Sequence, residues 1–312
     1  MNEPEQAGVA TIRSSAATTR TGLPLSLNRA PAADISAWVA RVYATSGEPP
    51  DNNWLSCGIL ADTQILRVLK QGKWQADTAF GHAEYGECVL FFGPQTQRMA
   101  VAVKGRFRTV GLAFTAGAVS ALSGPSAEDT LDRIMGYDAI GDERDLLARF
   151  QDEESPEQWM DALEDCTRQL IVEAGSHPPD PIIAAFERAS FVDPSQTIKS
   201  FADRHDLSVR QLERIVRRDC GTTPKQVMRR ARVLDMAAEL LGVAEREEAE
   251  ELALRYFDQS HLNRDFLEFF GMTPMRFVRT PQPLMTMTLE ARQARRLELT
   301  GRLAEGEPRP WE

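Results

Sequence analysis

A self-match at an offset of 50 residues constrains the fold of this chain more than any other feature. Gln211-Leu212-Glu213-Arg214 through Gly221-Thr222-Thr223-Pro224 aligns without a gap onto His261-Leu262-Asn263-Arg264 through Gly271-Met272-Thr273-Pro274. Leu212/Leu262, Arg214/Arg264, Gly221/Gly271, Thr223/Thr273, Pro224/Pro274 and Arg229/Arg279 are identical pairs. Helix grammar accounts for them. Ser208 and Asp258 stand where a side-chain oxygen takes up the orphan amides of a first helical turn. Gly221 and Gly271 suit the left-handed position that ends a helix. Thr-Pro then caps and opens the next one.

A further short helix is predicted ahead of each unit, over Thr197–His205 and Ala249–Tyr256. A helix, a tight turn and a second helix with basic or amide side chains on one face make a helix-turn-helix. Pro224–Leu241 joins the two copies. There Val227, Ala231, Leu234, Ala238 and Leu241 form an apolar stripe expected to bury one side of a long helix.

The net charge of −10 argues against a nucleic-acid partner only until the chain is divided. Residues 196–232 carry 10 Lys+Arg against 4 Asp+Glu, whereas residues 1–195 carry 16 against 27 and residues 233–280 carry 5 against 10. One compact basic block sits in an acidic protein, and the local charge is what a partner meets.

Ahead of the repeat, residues 1–30 have the composition of a flexible arm. Residues 31–174 form a β-rich domain with helices. Its strand-like runs are Trp54–Leu60, Gln64–Lys70, Glu87–Phe92, Met99–Val103 and Arg106–Phe114, the last two joined by a turn at Lys104-Gly105. Pro156–Ala174 is a helix with Trp159, Leu163, Cys166 and Leu170 on one stripe. The Gly and three Pro of residues 175–181 mark a linker, residues 182–280 the helical domain, and 281–312 a tail. In the tail Leu289, Leu297 and Leu303 fit either a short amphipathic helix or a disordered segment. The fold class is therefore α+β multidomain, with a small antiparallel β domain followed by an all-α double helix-turn-helix domain.

Residues of about 180–280 resemble the DNA-binding domain of AraC/XylS-type transcriptional regulators. The matching string is Asp258-Gln259-Ser260-His261-Leu262-Asn263-Arg264-Asp265-Phe266, then Phe270-Gly271-Met272-Thr273-Pro274 and Phe277. Phe201-Ala202 with Leu207 through Arg214 matches the first unit. In one respect the second unit departs from the pattern. Ala253 to Asp258 spans 5 positions where the family has seven, the turn glycine is absent, and Glu245–Glu251 is acidic. The resemblance implies double-stranded promoter or operator DNA as partner. It admits a small-molecule effector, a contact with RNA polymerase and a homodimer. Leu90–Thr96 and Val110–Phe114 more weakly resemble the cupin-like effector or dimerisation module that such regulators place first.

Position within the units assigns roles. Val209, Arg210, Glu213 and Arg214 lie at the groove-facing end of the first recognition helix. Arg210 and Arg214 are suited to bidentate guanine contacts, and Glu213 to a cytosine amino group or to Arg217. Arg217, Arg218, Lys225, Arg229 and Arg230 are expected on phosphates. In the second unit Gln259, Ser260, His261, Asn263 and Arg264 are the matched positions. Gln259 and Asn263 have amide geometry for adenine, and His261 either reads a base or packs. Either Arg214 or Arg264 could instead serve in an internal ion pair.

Trp54, Trp74 and Phe91 are candidates to line an effector pocket. His82 with Glu84 and Glu87 is the only His/Glu grouping of the β domain, too sparse for a cupin metal, so neither metal nor cofactor is expected. Cys57, Cys88, Cys166 and Cys220 lie far apart without a CxxC, against a disulfide framework or a zinc site. A Cys57–Cys88 redox sensor is the lesser alternative to inert buried thiols. No nucleophile–base pair or phosphate loop suggests an enzyme. No apolar run approaches membrane-spanning length and no secretory signal is visible, so the expected location is cytoplasmic. The alternative to ligand control is a regulator whose first domain only binds protein, with the Trp159 stripe as its interface.

Overall fold

The computed structural model describes residues 12–13, 26–49, 54–139, 141–244 and 259–303. Nine antiparallel strands come first in those residues: β1 Ile12–Arg13, β2 Ser26–Arg29, β3 Val39–Gly47, β4 Trp54–Ile59, β5 Ile65–Thr78, β6 Gly81–Tyr85, β7 Cys88–Phe92, β8 Met99–Phe114 and β9 Ile134–Gly136. They form one sheet in the order β1-β2-β3-β8-β5-β7-β9, with β4 on β8 and β6 on β5. The sheet begins earlier than composition suggests. All four residues of β2 are buried, and Arg29 donates to Asp161 and Glu164, so Ser26–Arg29 belongs to the sheet and not to an arm.

The expected turn at Lys104-Gly105 is absent, and Met99–Phe114 runs as one 16-residue strand. Gly105 (φ +75°) and Gly72 (φ +93°) lie where the β5–β8 register slips, from Leu69↔Thr109 to Lys73↔Lys104. Left-handed glycines here bend a continuing ladder instead of reversing the chain. A side chain at position 72 would meet the Phe107 Cβ at 2.7 Å. The bend divides the ladder into a half flanked by β3 and β7 and a half flanked by β4 and β6.

Strand alternation then gives the sheet two unlike faces. Val42, Ala44, Leu66, Val68, Val110 and Leu112 form an apolar face. It is covered by α3 (Pro156–Glu173), which follows two short helices, α1 Ala118–Ala121 and α2 Glu143–Leu147. The buried stripe of α3 is Trp159, Met160, Leu163, Thr167 and Ile171, rotated away from the half-buried Cys166 and Leu170. Trp159 is 1% exposed, with its indole donating to the Gln151 carbonyl. That stripe is core, which removes it as an outward interface. The opposite face carries the polar Arg41, Tyr43 and Thr45 of β3 with Asn28 of β2 and Thr109 of β8, and the apolar Leu69, Leu90 and Phe92 toward β5 and β7.

The helical part comprises α4 Pro181–Val192, α5 Ile198–Arg204, α6 Val209–Cys220, α7 Pro224–Leu240, α8 Gln259–Phe270, α9 Pro274–Arg279 and α10 Pro283–Thr300. Helix α7 is buried on more than the one expected side: Val227, Ala231, Leu234 and Ala238 are covered, and so are Met228, Val233, Met236 and Ala237. Much of that cover comes from α10, the supposed tail. It packs against α4, α7 and β4 and buries Leu284, Met285, Met287, Leu289 and Leu297. The predicted helix over Ala249–Tyr256, the cap Asp258 and the acidic run Glu245–Glu251 lie outside the described residues. No described helix is long and apolar enough to cross a membrane.

Candidate functional site

The first unit is held by caps and a small core of its own. Thr197 caps α5 by accepting from the Ser200 amide, and Ser208 forms a capping box with Gln211 at the start of α6. The turn between them places Asp206 at φ +54° and lets the Leu207 amide donate to the Ala202 carbonyl. Phe201 packs edge-on against Phe186 at 5.1 Å and lies against His205 at 4.4 Å. Leu212 and Val216 of α6 are fully buried beneath them. Gly221 ends α6 at φ +77°, and a Cβ there would sit 2.8 Å from the Ala127 carbonyl, so the position excludes other residues twice over.

With Leu212 and Val216 inward, Val209, Arg210, Glu213, Arg214 and Arg217 face outward, and Val209 is 39% exposed. Lys225 at the start of α7 is also exposed. Arg210, Arg214 and Arg217 have no carboxylate partner among the described residues, so α6 presents an unneutralised guanidinium row. Glu213 does not pair with Arg217. Arg218 does have partners: it donates to Asp219 and lies 3.9 Å from Asp180, and the Asp219 hydrogen bond holds its guanidinium above the ordinary arginine range.

Two phosphate assignments are overturned. Arg230 is 2% exposed and reaches into the β domain, donating to the carbonyls of Gln95 at 2.7 Å and Asp62 at 2.9 Å. Arg229 bridges to α8, donating to Asp265 and to Glu268 at 2.7 Å. Its pKa is raised, first by the Glu268 hydrogen bond. Both face other parts of the chain because α7 is covered around most of its circumference. In the second unit Gly271 takes φ +67° and Thr273 caps α9, matching Gly221 and Thr223. His261, Asn263 and Arg264 are exposed on α8. Gln259 and Ser260 lie in its first turn, and their side chains are outside what is described.

Residues 201–280 match the helix-turn-helix domain family. They form a helix-turn-helix domain of the AraC type. No curated protein matches the chain. Among solved structures it is similar to ToxT from Vibrio cholerae (7% identity, TM-score 0.46, covering 76% of this chain and 98% of that one). It is similar also to unsaturated fatty acid bound ToxT from Vibrio cholerae strain SCE256 (11% identity, TM-score 0.42, covering 76% and 93%). The AraC-like transcriptional activator CuxR matches at 12% identity and TM-score 0.26, covering 69% and 88%.

Helices α7 and α10 meet the β domain over the polar part of the sheet and leave a cavity of about 110 Å³ between them. Arg41, Tyr43, Arg67 and Trp74 line it from the sheet, and Leu234, Met287 and Arg292 from the helices. The Arg67 guanidinium lies 5.2 to 5.5 Å from the ring centroids of Tyr43, Trp74 and Phe92, and its Nε donates to the Tyr43 hydroxyl at 3.1 Å. Ion pairs tie the two walls together. Arg292 joins Asp62 of the β domain to Asp235 of α7, and Arg296 reaches Asp235 at 2.8 Å.

Of the three aromatic effector candidates Trp74 lines this cavity. Phe91 is on the other face beside Phe114 because β7 alternates, and Trp54 is 36% exposed beside Lys104. Arg41, Asn28, Arg67 and Thr109 were missed. The signal for them was there: Arg41, Tyr43 and Thr45 alternate with Val42 and Ala44, a strand with one polar face. His82 bonds Asp77 at 2.7 Å and lies 4.0 Å from Glu84, while Glu87 pairs with Lys70. No group of three metal-ligating side chains occurs among the described residues. All four cysteines are free, and burial pushes the Cys88 thiol up to about 11. Cys57 and Cys88 stand on β4 and β7, which are not neighbours in the sheet.

Proposed function

We propose that the chain is a sequence-specific transcription regulator that binds double-stranded DNA and is controlled by a small molecule in the cavity between its domains. The unneutralised row Arg210, Arg214 and Arg217, on a capped helix whose other face is buried, carries the DNA-binding reading. Val209, Arg210, Glu213 and Arg214 would meet base edges, while Arg217 and Lys225 meet phosphates. Asn263 and Arg264, with Gln259, Ser260 and His261 ahead of them, would enter a second major groove about one helical turn away. The unpartnered buried polar groups that line the cavity support ligand control, since buried polar groups are normally partnered. A homodimer, a contact with RNA polymerase and a cytoplasmic location belong to the same reading.

Fluorescence anisotropy against DNA from the chain's own upstream region, over a range of salt concentrations, tests it. The expected result is tight, sequence-dependent binding with a steep salt slope, weakened in Arg214→Ala. Equal affinity for random duplex, with and without small-molecule extracts, would refute it.

A further inference from the structure

Helix α10 lies beyond the helix-turn-helix domain, yet it supplies both a wall of the cavity and a carboxylate at its edge. Arg41 of β3 is 3% exposed. Its Nε donates to Asn28 Oδ1 at 2.9 Å, and its Nη1 donates to both oxygens of Glu298, at 2.8 and 2.7 Å. Its Nη2 is buried with no partner. Three more buried groups on the same cavity wall are in that condition: Asn28 Nδ2, Trp74 Nε1 and Thr109 Oγ1. All four can donate, and three can only donate.

We infer that Arg41 centres an oxyanion site in which Glu298 is a tethered occupant, and that a small organic acid takes Arg41 over from Glu298. The inference rests on the proposed ligand control and names the ligand class. A guanidinium offers a carboxylate its best contact through two parallel N–H groups. Nε is committed to Asn28, so the edge for an incoming acid is Nη1–Nη2, and Glu298 holds half of it. Asn28 Nδ2, beside Arg41, is a further free donor, while Thr109 and Trp74 stand farther along the same wall. Leu60, Leu234, Leu284 and Met287 offer an apolar wall for the body of the acid. A cavity of about 110 Å³ suits a single ring or a short chain. Once Glu298 lets go, the last turn of α10 loses its tie to β3, which connects occupancy to the packing of α10 on α4 and α7.

Calorimetric titration of the full chain with benzoate and hexanoate, beside benzamide and hexanamide, tests this in the wild type, Glu298→Gln and Glu187→Gln. Glu187 pairs with Arg295 of α10 at 3.0 Å and makes no contact with Arg41, so its variant loosens α10 and frees a second cation on the cavity wall while leaving Glu298 on Arg41. An acid is expected to bind saturably where its amide does not. Removing the tethered competitor in Glu298→Gln should tighten binding about tenfold, with no such gain in Glu187→Gln. Equal affinity in wild type and Glu298→Gln, or an equal gain in Glu187→Gln, overturns the competition. Amides binding as well as acids, or no probe binding Glu298→Gln, overturns the oxyanion site. Acid binding that leaves DNA affinity unchanged would keep the site and refute ligand control.

Discussion

Phe201 of the first helix-turn-helix unit packs with Phe186, Leu212, Val216 and Met228 in a cluster that draws only Ala116 from the β domain. Phe266, Phe269, Phe270 and Phe277 of the second unit share one core with Ile59, Trp74, Met99 and Val101 of the sheet. The Arg98 amide donates to the Phe269 carbonyl across that boundary at 2.7 Å. Two units that repeat in sequence thus differ in what they are built into. The first keeps its outward face basic and its core largely private. The second uses its apolar residues to fasten the sheet to the helices, so a change in the sheet is felt there first.

The largest effect expected is from Phe266→Ala, a loss of about 3–5 kcal/mol. In calorimetry it should lower the melting of sheet and helices together. Phe201→Ala, of similar size, should split off an early transition of the first unit. If Phe266→Ala leaves the tryptophan-reported melting of the sheet in place, the shared core is not a cooperative unit. Next comes Asp235→Ala, which leaves Arg292 and Arg296 buried without their shared carboxylate. A cost of about 3 kcal/mol is expected in chemical denaturation.

On DNA, Arg214→Ala should cost about 1–3 kcal/mol in anisotropy and relax preference at one base pair. The repeat-equivalent Arg264→Ala should cost less, and equal losses would erase the distinction between the units. Arg229→Ala should leave the logarithmic salt slope within about 0.5 of the wild type, because its guanidinium faces Asp265 and Glu268 and not phosphate.

The smallest effect concerns acid. The Arg229 hydrogen bond holds the Glu268 carboxyl below its ordinary 4.5. A depressed folded-state pKa contributes stability above the unfolded value, and this is lost as pH falls through the folded one. Glu268→Gln should therefore flatten the stability curve below pH 4.5. It should cost at most about 1 kcal/mol at neutral pH, since the carboxylate is half exposed.

Local rules made much of the helical domain legible. Ser208, Gly221, Thr223, Gly271 and Thr273 act within one or two turns of themselves, through caps and left-handed termini, and stand where those rules place them. The outward row of α6 follows from the period of 3.6 once Leu212 and Val216 are inward. Strand runs were readable for the same reason, but their ends were not. Lys104-Gly105 has the composition of a turn, and only the pairing of β8 with β5 decides that it bends instead.

Local grammar is therefore readable in the chain: the repeated units, their caps and the basic face of α6. Tertiary structure alone decided which arginines are free to meet a partner. Arg217, Arg229 and Arg230 look alike in a string, but Arg229 is claimed by α8 and Arg230 by backbone carbonyls of the β domain. It also decided that residues 283–300 are core rather than tail, and that Arg41, Thr109 and Trp74 converge on one cavity. The physical reason is distance along the chain. Burial and ion pairing depend on groups such as Asp62 and Arg292, or Arg41 and Glu298, that are more than 200 residues apart. No local period or cap signal carries that information.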